Sequence, residues 1–308
     1  MQRFKNILVA VDLSQQDRFV GDELAPPTAE AVDRAIWLAK VNSAKLTFFY
    51  TLDVSAHARH MIEAAAEGEQ TVMTDAKEAL GRLVDQAAAA GVSASLDVEF
   101  GKSWVEIIRQ VMRGKHDLLV AGTRHFGALQ SFFMGSTGIK LLRKCPCPVW
   151  ITQPQRYRQI RSILVAHCLR PVGDLAMELG CLIAQTCGAQ LRVVHALELP
   201  PDAGESAEQV SPEELARLRA QAEQHIEAQL REYEFARPPV VHIVTDAPDF
   251  AVLTHIEKYG VELTVMGTIA RRGVPGIITG NTAEVLLPRL RCSVLAVKPP
   301  DFQSPVSL

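Results

Sequence analysis

The sequence of 308 residues predicts two consecutive α/β domains, each a parallel sheet covered by helices on both faces. Three observations predict this. The chain repeats itself, short runs rich in Val, Ile and Leu alternate with helical stretches, and the length suits two domains of about 150 residues. Continuous apolar strands between helices are typical of buried parallel sheets. We therefore predict two tandem doubly wound domains of five parallel strands each.

The internal repeat changes its spacing along the chain. Phe4–Ala10 resembles Ile160–Ala166, a shift of 163 − 7 = 156 residues for the central isoleucine. Ala39–Leu46 aligns with Ala184–Leu191, a shift of 184 − 39 = 145, and the later matches keep that value. The first half therefore holds 156 − 145 = 11 additional residues near its start.

The additional residues lie between Asp12 and Thr28. Because this stretch is polar, contains two adjacent prolines and shows no hydrophobic period, we predict a loop there. The joint between the two halves falls near Gln153–Arg156. We assign residues 1–155 to the first domain and 156–308 to the second.

Each half contains the same elements in the same order. The predicted strands of the first half are Ile7–Val11, Lys45–Tyr50, Ser95–Phe100, Leu118–Ala121 and Val149–Thr152, and its helices include Ala29–Asn42 and Trp104–Arg113. The predicted strands of the second half are Ile163–Ala166, Gln190–His195, Val240–Thr245, Leu263–Met266 and Val294–Lys298, and its helices include Leu175–Thr186 and Phe250–Tyr259. A longer helix follows the second strand of each half. In the second half it opens with Ser211-Pro212-Glu213-Glu214, a strong start signal.

Charge and apolar patterning exclude several classes of protein. The first half has 17 basic and 17 acidic residues and the second has 15 and 18, so bulk charge does not favour a nucleic-acid or anionic-membrane partner. Ile7–Val11 is too short for the core of a signal peptide. No run approaches the roughly 18 apolar residues of a membrane span. We expect a soluble, cytoplasmic protein whose six cysteines are reduced thiols.

Two segments of the first half can form a ligand site. In doubly wound sheets, ligands bind beyond the carboxyl ends of the strands, where the strand order reverses. Asp12 follows the first strand, and the loop after the fourth strand runs from Gly122 to Gly135-Ser136-Thr137. Glycine, hydroxyl groups and the positive end of a helix can together hold a phosphate without a lysine. The same residues also suit an ordinary helix cap and a turn.

These segments carry a family resemblance. The chain resembles a tandem-type universal stress protein, and its second half is similar to the E subgroup of tandem members. Nucleotide-binding members carry Gly-x-x-Gly, nine residues and Gly-Ser/Thr. Gly122, the nine residues before Gly135, and Ser136 fit this pattern, whereas His125 replaces the second glycine. The Cys145–Val149 turn is also shared. The resemblance implies a Rossmann-like fold of the adenine nucleotide alpha hydrolase type.

The resemblance also implies which residues bind nucleotide. In the first half it implies ATP and Mg²⁺, with Asp12 at the ribose or adenine. The phosphate-loop positions are Gly122, His125, Gly135, Ser136 and Thr137. In the second half Cys168 stands at the aspartate position and Ala270 at the second glycine, so a degenerate site is expected there. The corresponding loop positions are Gly267, Gly280, Asn281 and Thr282.

The implied function is a stress-response regulatory module that binds nucleotide without rapid catalysis and whose occupancy a protein partner reads. The sequence contains no Walker A motif and no evident general base, although slow hydrolysis stays open. One alternative is a scaffold with vestigial pockets. Another is a binder of apolar ligands through the second half, where Ile269, Val274, Ile277 and Ile278 lie in the loop.

Two further expectations concern metals and assembly. His167, His195 and Cys168 have ligand types that suit zinc, but no companion spacing supports them, so we predict no metal site. The resemblance implies pairing of domains through their last strands, which Val149–Thr152 and Val294–Lys298 could make within one chain as a pseudo-dimer. A further homodimer would need another surface, and the sequence identifies no protein partner.

Overall fold

The computed structural model describes residues 2–14, 20–21, 23–53, 66–125, 132–133, 135–154, 159–197, 210–268 and 286–308. The chain divides into two compact units. The first comprises Met1–Pro154 together with Phe302–Leu308, and the second comprises Gln155–Asp301.

The first unit contains a parallel five-stranded sheet and a short antiparallel ribbon. Its elements are β1 (Asn6–Ala10), α1 (Pro26–Asn42), β2 (Lys45–Leu52), α2 (Ala66–Ala89), β3 (Ala94–Phe100), α3 (Ser103–Arg113), β4 (Leu118–Gly122), β5 (Arg124–His125), β6 (Phe132–Phe133), α4 (Ser136–Lys144) and β7 (Val149–Thr152). The sheet order is β3-β2-β1-β4-β7. The ribbon pairs β5 with β6.

The second unit repeats this sheet. Its elements are β8 (Ser162–Ala166), α5 (Pro171–Cys187), β9 (Gln190–Ala196), α6 (Pro212–Leu230), β10 (Val240–Val244), α7 (Pro248–Tyr259), β11 (Leu263–Gly267), a 3₁₀ turn (Leu287–Arg289) and β12 (Ser293–Val297). The order β10-β9-β8-β11-β12 is again fully parallel. In each unit the strand order reverses between the first and the fourth strand, which opens a crevice at their carboxyl ends.

The core of each sheet consists of the predicted apolar runs. In the first unit Ile7 lies between Leu46 and Leu118 on the neighbouring strands, and all three side chains are buried. The buried positions of α1 and α5 coincide under the shift of 145 residues: Leu38, for example, corresponds to Ile183. The predicted doubly wound parallel-sheet fold is confirmed. None of the described helices is long and apolar enough to cross a membrane.

Three local details depart from or refine the predictions. Pro26 and Pro27 were assigned to the loop, but they form the first turn of α1. Proline suits this position because its fixed backbone angle is helical and the first helical N–H needs no partner. Ser211 caps α6 as predicted, since its Oγ accepts the N–H of Glu214 at 3.2 Å. The β5–β6 ribbon was not predicted.

Candidate functional site

A cavity of about 380 Å³ lies in the first unit at the carboxyl ends of β1, β2 and β4. Its lining residues come from these strands, from the loops that follow them, and from the first two turns of α1, α3 and α4. They are Ala10, Val11, Asp12, Ser14, Thr28, Tyr50, Thr51, Asp53, Ser103, Ile107, Ala121, Gly122, Thr123, Gly135, Thr137, Gly138 and Leu141. The cavity occupies the crevice where the strand order reverses.

Four of the predicted site residues share this cavity, namely Asp12, Gly122, Gly135 and Thr137. The remaining predicted residues fall elsewhere or outside the described part of the chain. Ser136 is exposed at the start of α4 and does not line the cavity. The backbone of His125 lies in β5, and its side chain is outside the description. Gly267 ends β11, while Gly280, Asn281 and Thr282 lie outside the described residues.

Asp12 is held by a tight turn at the end of β1. Its Oδ1 accepts the backbone N–H of Ser14 at 3.1 Å and the Ser14 hydroxyl at 2.5 Å. The carboxylate therefore acts as a turn residue while it faces the cavity. The buried phenol of Tyr50 lies nearby. Burial, assisted by the negative charge of Asp12, raises the pKa of Tyr50, so this hydroxyl stays protonated and can donate a hydrogen bond.

A second carboxylate, which the sequence interpretation missed, lines the same cavity. Asp53 directly follows β2, and its Oδ2 accepts the N–H and the hydroxyl of Ser103 at 3.2 and 3.3 Å. These bonds anchor the start of α3 to the end of β2. Asp12 and Asp53 give the cavity two sets of oxygen ligands of the kind that Mg²⁺ prefers. The usable sequence signal was an acidic residue directly after a second buried strand.

Thr123 is the second residue that sequence reasoning missed. Its side chain is 6% exposed and lines the cavity, and its backbone N–H donates to Thr152 at 3.0 Å. Its Oγ1 has no hydrogen-bond partner among the residues that the structure describes. An unsatisfied buried hydroxyl costs about 1–3 kcal/mol. A ligand in the cavity that bonds this hydroxyl would recover that free energy.

Gly122 is required by packing as well as by its place in the cavity. A Cβ added there would lie 2.5 Å from the Pro27 carbonyl oxygen and 3.2 Å from the Thr28 nitrogen. The glycine therefore lets the start of α1 approach β4. Gly267 has the same role in the second unit, where a Cβ would lie 2.9 Å from both methyl groups of Val172. The presence of either glycine is thus explained by the fold alone.

The corresponding crevice of the second unit differs in size and chemistry. Its cavity of about 160 Å³ is lined by Cys168, Leu169, Arg170, His195, Leu197, Leu218 and Gln221. Cys168 stands at the position of Asp12, since 168 − 12 = 156, and burial raises the pKa of its thiol. Thr268 corresponds to Thr123, since 268 − 123 = 145, but its hydroxyl accepts a hydrogen bond from the buried ammonium of Lys298.

Beside this crevice, three polar side chains of the second unit surround the carboxylate of Asp174. Asp174 Oδ1 lies 3.4 Å from His167 Nε2 and 2.9 Å from His225 Nε2. Gln229 Nε2 also donates to this oxygen, at 2.6 Å. Burial lowers the pKa of His167 to about 4, against the opposing effect of Asp174, with smaller contributions from His225 and His195. Partial burial raises the pKa of Asp174, but the hydrogen bonds from His225 and Gln229 outweigh it. The pKa of this carboxylate is therefore lowered.

The proton positions in this cluster disfavour a metal. The ligand atoms of His167, Asp174 and His225 lie within 4.8 Å of one another, which would suit an ion. His167 Nδ1, however, accepts the backbone N–H of Leu169 at 3.1 Å, so the proton of the neutral ring is on Nε2. A ligating Nε2 needs that proton on Nδ1. Asp174 Oδ1 is hydrogen-bonded to His225, whereas His167 Nε2, 3.4 Å from that oxygen, makes no hydrogen bond among the described residues. His195 Nδ1 instead donates to the His167 carbonyl at 2.9 Å.

The comparisons with known proteins agree with this geometry. The sequence profile of the universal stress protein family matches residues 3–153 and 159–298, which are the two units in turn. The chain belongs to the universal stress protein family. It is a tandem member, and membership supports a role in the stress response.

Curated universal stress proteins are similar over the whole chain. Universal stress protein E of Photorhabdus laumondii is 26% identical over 99% of this chain and 98% of its own length. Universal stress protein E of Escherichia coli K12 is 25% identical over 100% and 98%. The chain is therefore similar to the E type of universal stress protein over its whole length.

Solved structures show the same fold. A functionally unknown protein from Pseudomonas aeruginosa aligns with a TM-score of 0.72 at 24% identity, over 97% of this chain and 94% of that one. A universal stress protein from Archaeoglobus fulgidus aligns with a TM-score of 0.66 at 21% identity, over 96% and 99%. At these identities the likeness supports the fold of the tandem universal stress protein.

Proposed function

We propose that the first unit is a regulatory module of the stress response that binds an ATP-type nucleotide with Mg²⁺. The observation that carries this proposal is the shared cavity, where the family's phosphate-loop residues Gly135 and Thr137 meet Asp12 and the unsatisfied hydroxyl of Thr123. A volume of about 380 Å³ lies in the range of small-molecule sites, roughly 300–1,000 Å³.

The start of α4 supplies the phosphate contacts. Gly135 is the N-cap residue, and no side chain of the described residues caps the helix. The first N–H groups of α4 therefore point toward the cavity without a side-chain acceptor, and the helix dipole adds positive charge there. Phosphate oxygens can accept from these groups. Thr137 adds a hydroxyl, since its side chain lines the cavity.

The opposite side of the cavity suits the nucleoside and the cation. Asp12 and Asp53 can accept from ribose hydroxyls or hold Mg²⁺ through oxygen atoms. The protonated Tyr50 adds a donor. The carboxylates of Asp12 and Asp53 are both engaged by Ser14 and Ser103, so neither is a free general base poised to activate water. We therefore propose ligand retention and signalling rather than rapid hydrolysis.

The second unit supports an unequal division of labour between the two domains. Its crevice is smaller, and Cys168 stands at the position of Asp12. Lys298 donates a hydrogen bond to the Thr268 hydroxyl, whereas the equivalent Thr123 hydroxyl in the first unit has no partner among the described residues. We propose that this unit does not hold nucleotide. An apolar ligand or a purely scaffolding role are the other outcomes for it.

Native mass spectrometry of gently purified protein, followed by calorimetric titration with ATP and Mg²⁺, tests the proposal. A retained nucleotide mass is expected. Thr123→Val should weaken binding about tenfold, since it removes a buried hydrogen bond and little volume. Asp12→Ala should weaken it further and remove the Mg²⁺ dependence.

The matched control is Cys168→Ala, which changes the position equivalent to Asp12 in the second unit. It should bind ATP as the unmodified chain does. An absence of bound mass and of heat up to millimolar ATP would exclude the nucleotide site and favour the scaffold alternative. Equal loss in Cys168→Ala would instead place the ligand outside the first unit.

A further inference from the structure

A cluster of lysines surrounds one tryptophan on the first unit. The ammonium nitrogens of Lys144, Lys140 and Lys102 lie 4.5, 5.6 and 5.9 Å from the centre of the Trp104 ring. We name these four residues the Trp104 cluster. All three distances are within the range of cation–π attraction. One indole therefore faces three positive charges that also repel each other.

The charges of the Trp104 cluster have no carboxylate partner among the described residues. None of the three ammonium groups has a carboxylate within 4.0 Å in the part of the chain that the structure describes. The nearby carboxylate of Glu106 is instead paired with Arg109 at 2.7 Å. The cluster is thus a local concentration of positive charge on a chain whose net charge is −3.

The electrostatics of the two helices disfavour Lys102 and Lys140 at their positions. Lys102 is the N-cap residue of α3, where the helix dipole disfavours a cation. Lys140 and Lys144 lie four residues apart on α4, a like-charge pair that destabilises a helix. Lys144 alone has a stabilising role, in the last turn of α4. A bound anion would reverse the unfavourable contributions.

The indole provides a second, independent indication of a missing acceptor. Trp104 Nε1 is buried and has no hydrogen-bond partner among the described residues. Because the indole N–H can only donate, its partner must be an acceptor. Because this nitrogen is buried, a phosphate oxygen held by the lysines would accept its N–H only after the side chains that cover it move aside.

The Trp104 cluster borders the nucleotide cavity. Ser103, between Lys102 and Trp104, lines the cavity, as do Thr137 and Leu141 of α4. Lys140 lies one helical turn beyond Thr137, a rise of about 4.5 Å along the axis. Lys144 lies three residues beyond Leu141 on the same helix, so the two side chains are neighbours on its surface. The lysines are not among the residues that line the cavity, so a phosphate chain that starts at the N-terminus of α4 would have to extend past Thr137 to meet them.

We propose that the Trp104 cluster binds the distal phosphates of a nucleotide seated in the cavity, and that it makes the first unit selective for long phosphate chains. This rests on the proposed function. The ligand class is a nucleoside polyphosphate, in which each phosphate beyond the second meets a lysine. The second unit has Ala247 and Asp249 at the positions of Lys102 and Trp104, since 247 − 102 = 145 and 249 − 104 = 145. The selectivity therefore belongs to the first unit.

Calorimetry with ADP, ATP and adenosine 5′-tetraphosphate tests the proposal on the full chain. The tetraphosphate should bind at least about tenfold more tightly than ADP, since charge-assisted hydrogen bonds are added. In the double variant Lys140→Gln and Lys144→Gln, which keeps only Lys102, the ratio should fall several-fold while the affinity for ADP is kept. Raising the salt concentration should lower the ratio in the unmodified chain.

Matched variants separate the cluster from general charge effects. Lys115→Gln removes one charge at an exposed site beyond the opposite end of α3 and should leave the ratio unchanged. Trp104→Phe keeps an aromatic ring without the N–H and should lower the ratio in part. An unchanged ratio in the double lysine variant, with ADP still bound, would overturn the cluster proposal and leave the proposed function standing.

Inorganic tripolyphosphate distinguishes the two proposals if ADP does not bind. Binding of tripolyphosphate that is lost in the double lysine variant would support the Trp104 cluster as a phosphate site and overturn the nucleotide assignment. Absence of binding for both probes would overturn both proposals.

Discussion

His167 makes the stability of the second unit depend on pH. The buried ring is held neutral, and its pKa is lowered from 6.5 to about 4. The unfolded chain takes up a proton near pH 6.5, whereas the folded chain does not until about pH 4. Each pH unit in that interval removes about 1.36 kcal/mol of unfolding free energy. The difference of 2.5 pH units predicts a total loss of about 3 kcal/mol.

The sign follows from the direction of the pKa change. Because the folded-state pKa lies below the unfolded one, stability is full above pH 6.5 and falls as the pH drops toward 4. Asp174 has a lowered pKa, so its stabilising contribution is present above 3.8 and is lost only below that value. The two groups therefore act in separate pH intervals.

The perturbation is His167→Asn. The Asn oxygen can still accept the N–H of Leu169 in place of Nδ1, but it does not titrate. Urea unfolding at pH 7.0 and pH 4.5, followed by hydrogen exchange of the β8 and β9 amides, measures the second unit. Tryptophan fluorescence does not, because all three tryptophans lie in the first unit. The variant should lose most of the pH-dependent decrease.

His225→Gln is the control, since His225 contacts the same Asp174 oxygen from a more exposed position. It should keep the decrease between pH 6.5 and 4. A His167 pKa at or above 6, measured by NMR of the imidazole nitrogens, would refute the reasoning. So would an equal pH dependence in His167→Asn and the unmodified chain.

Two other predictions concern packing and thiol access. Gly122→Ala should lower the unfolding free energy of the first unit by about 1–3 kcal/mol, because its Cβ would lie 2.5 Å from the Pro27 oxygen. Gly81→Ala in α2, where an added Cβ would meet no described atom outside its own helix turn within 4 Å, should raise it by about 0.5–1 kcal/mol, and urea titration by fluorescence compares the two. Equal effects would contradict the packing explanation. Among the six cysteines only Cys168 is partly exposed, so maleimide at pH 8 should label Cys168 first, as peptide mass spectrometry can show. Labelling that begins elsewhere would contradict the described burial.

The fold was predictable because its signals are local or repeated. Hydrophobic runs marked the strands, and the spacing of 145 residues revealed the second domain. The Ser211 cap was readable because its partner Glu214 lies three residues away. The start of α1 was misplaced because adjacent prolines suit both a loop and the first turn of a helix.

The candidate site was only partly predictable. Asp12, Gly135 and Thr137, which line the cavity, could be proposed from the sequence because they lie at strand and helix ends that the fold class makes important, whereas Ser136 does not line it. Thr123 lies beside Gly122 in the predicted loop, but its unsatisfied hydroxyl depends on what surrounds it in space. Asp53 carried an equivalent signal after β2 and was overlooked.

The sequence by itself determined the two-domain α/β architecture, since periodicity, caps and repeats act over a few residues or recur at a fixed spacing. Only the tertiary structure decided which distant side chains meet. Asp174 and His225 are 51 residues apart on separate helices, and no spacing rule joins them. The lysines of α4 reach Trp104 of α3 for the same reason. Such contacts depend on how neighbouring helices pack against each other on a sheet, which local sequence patterns do not encode.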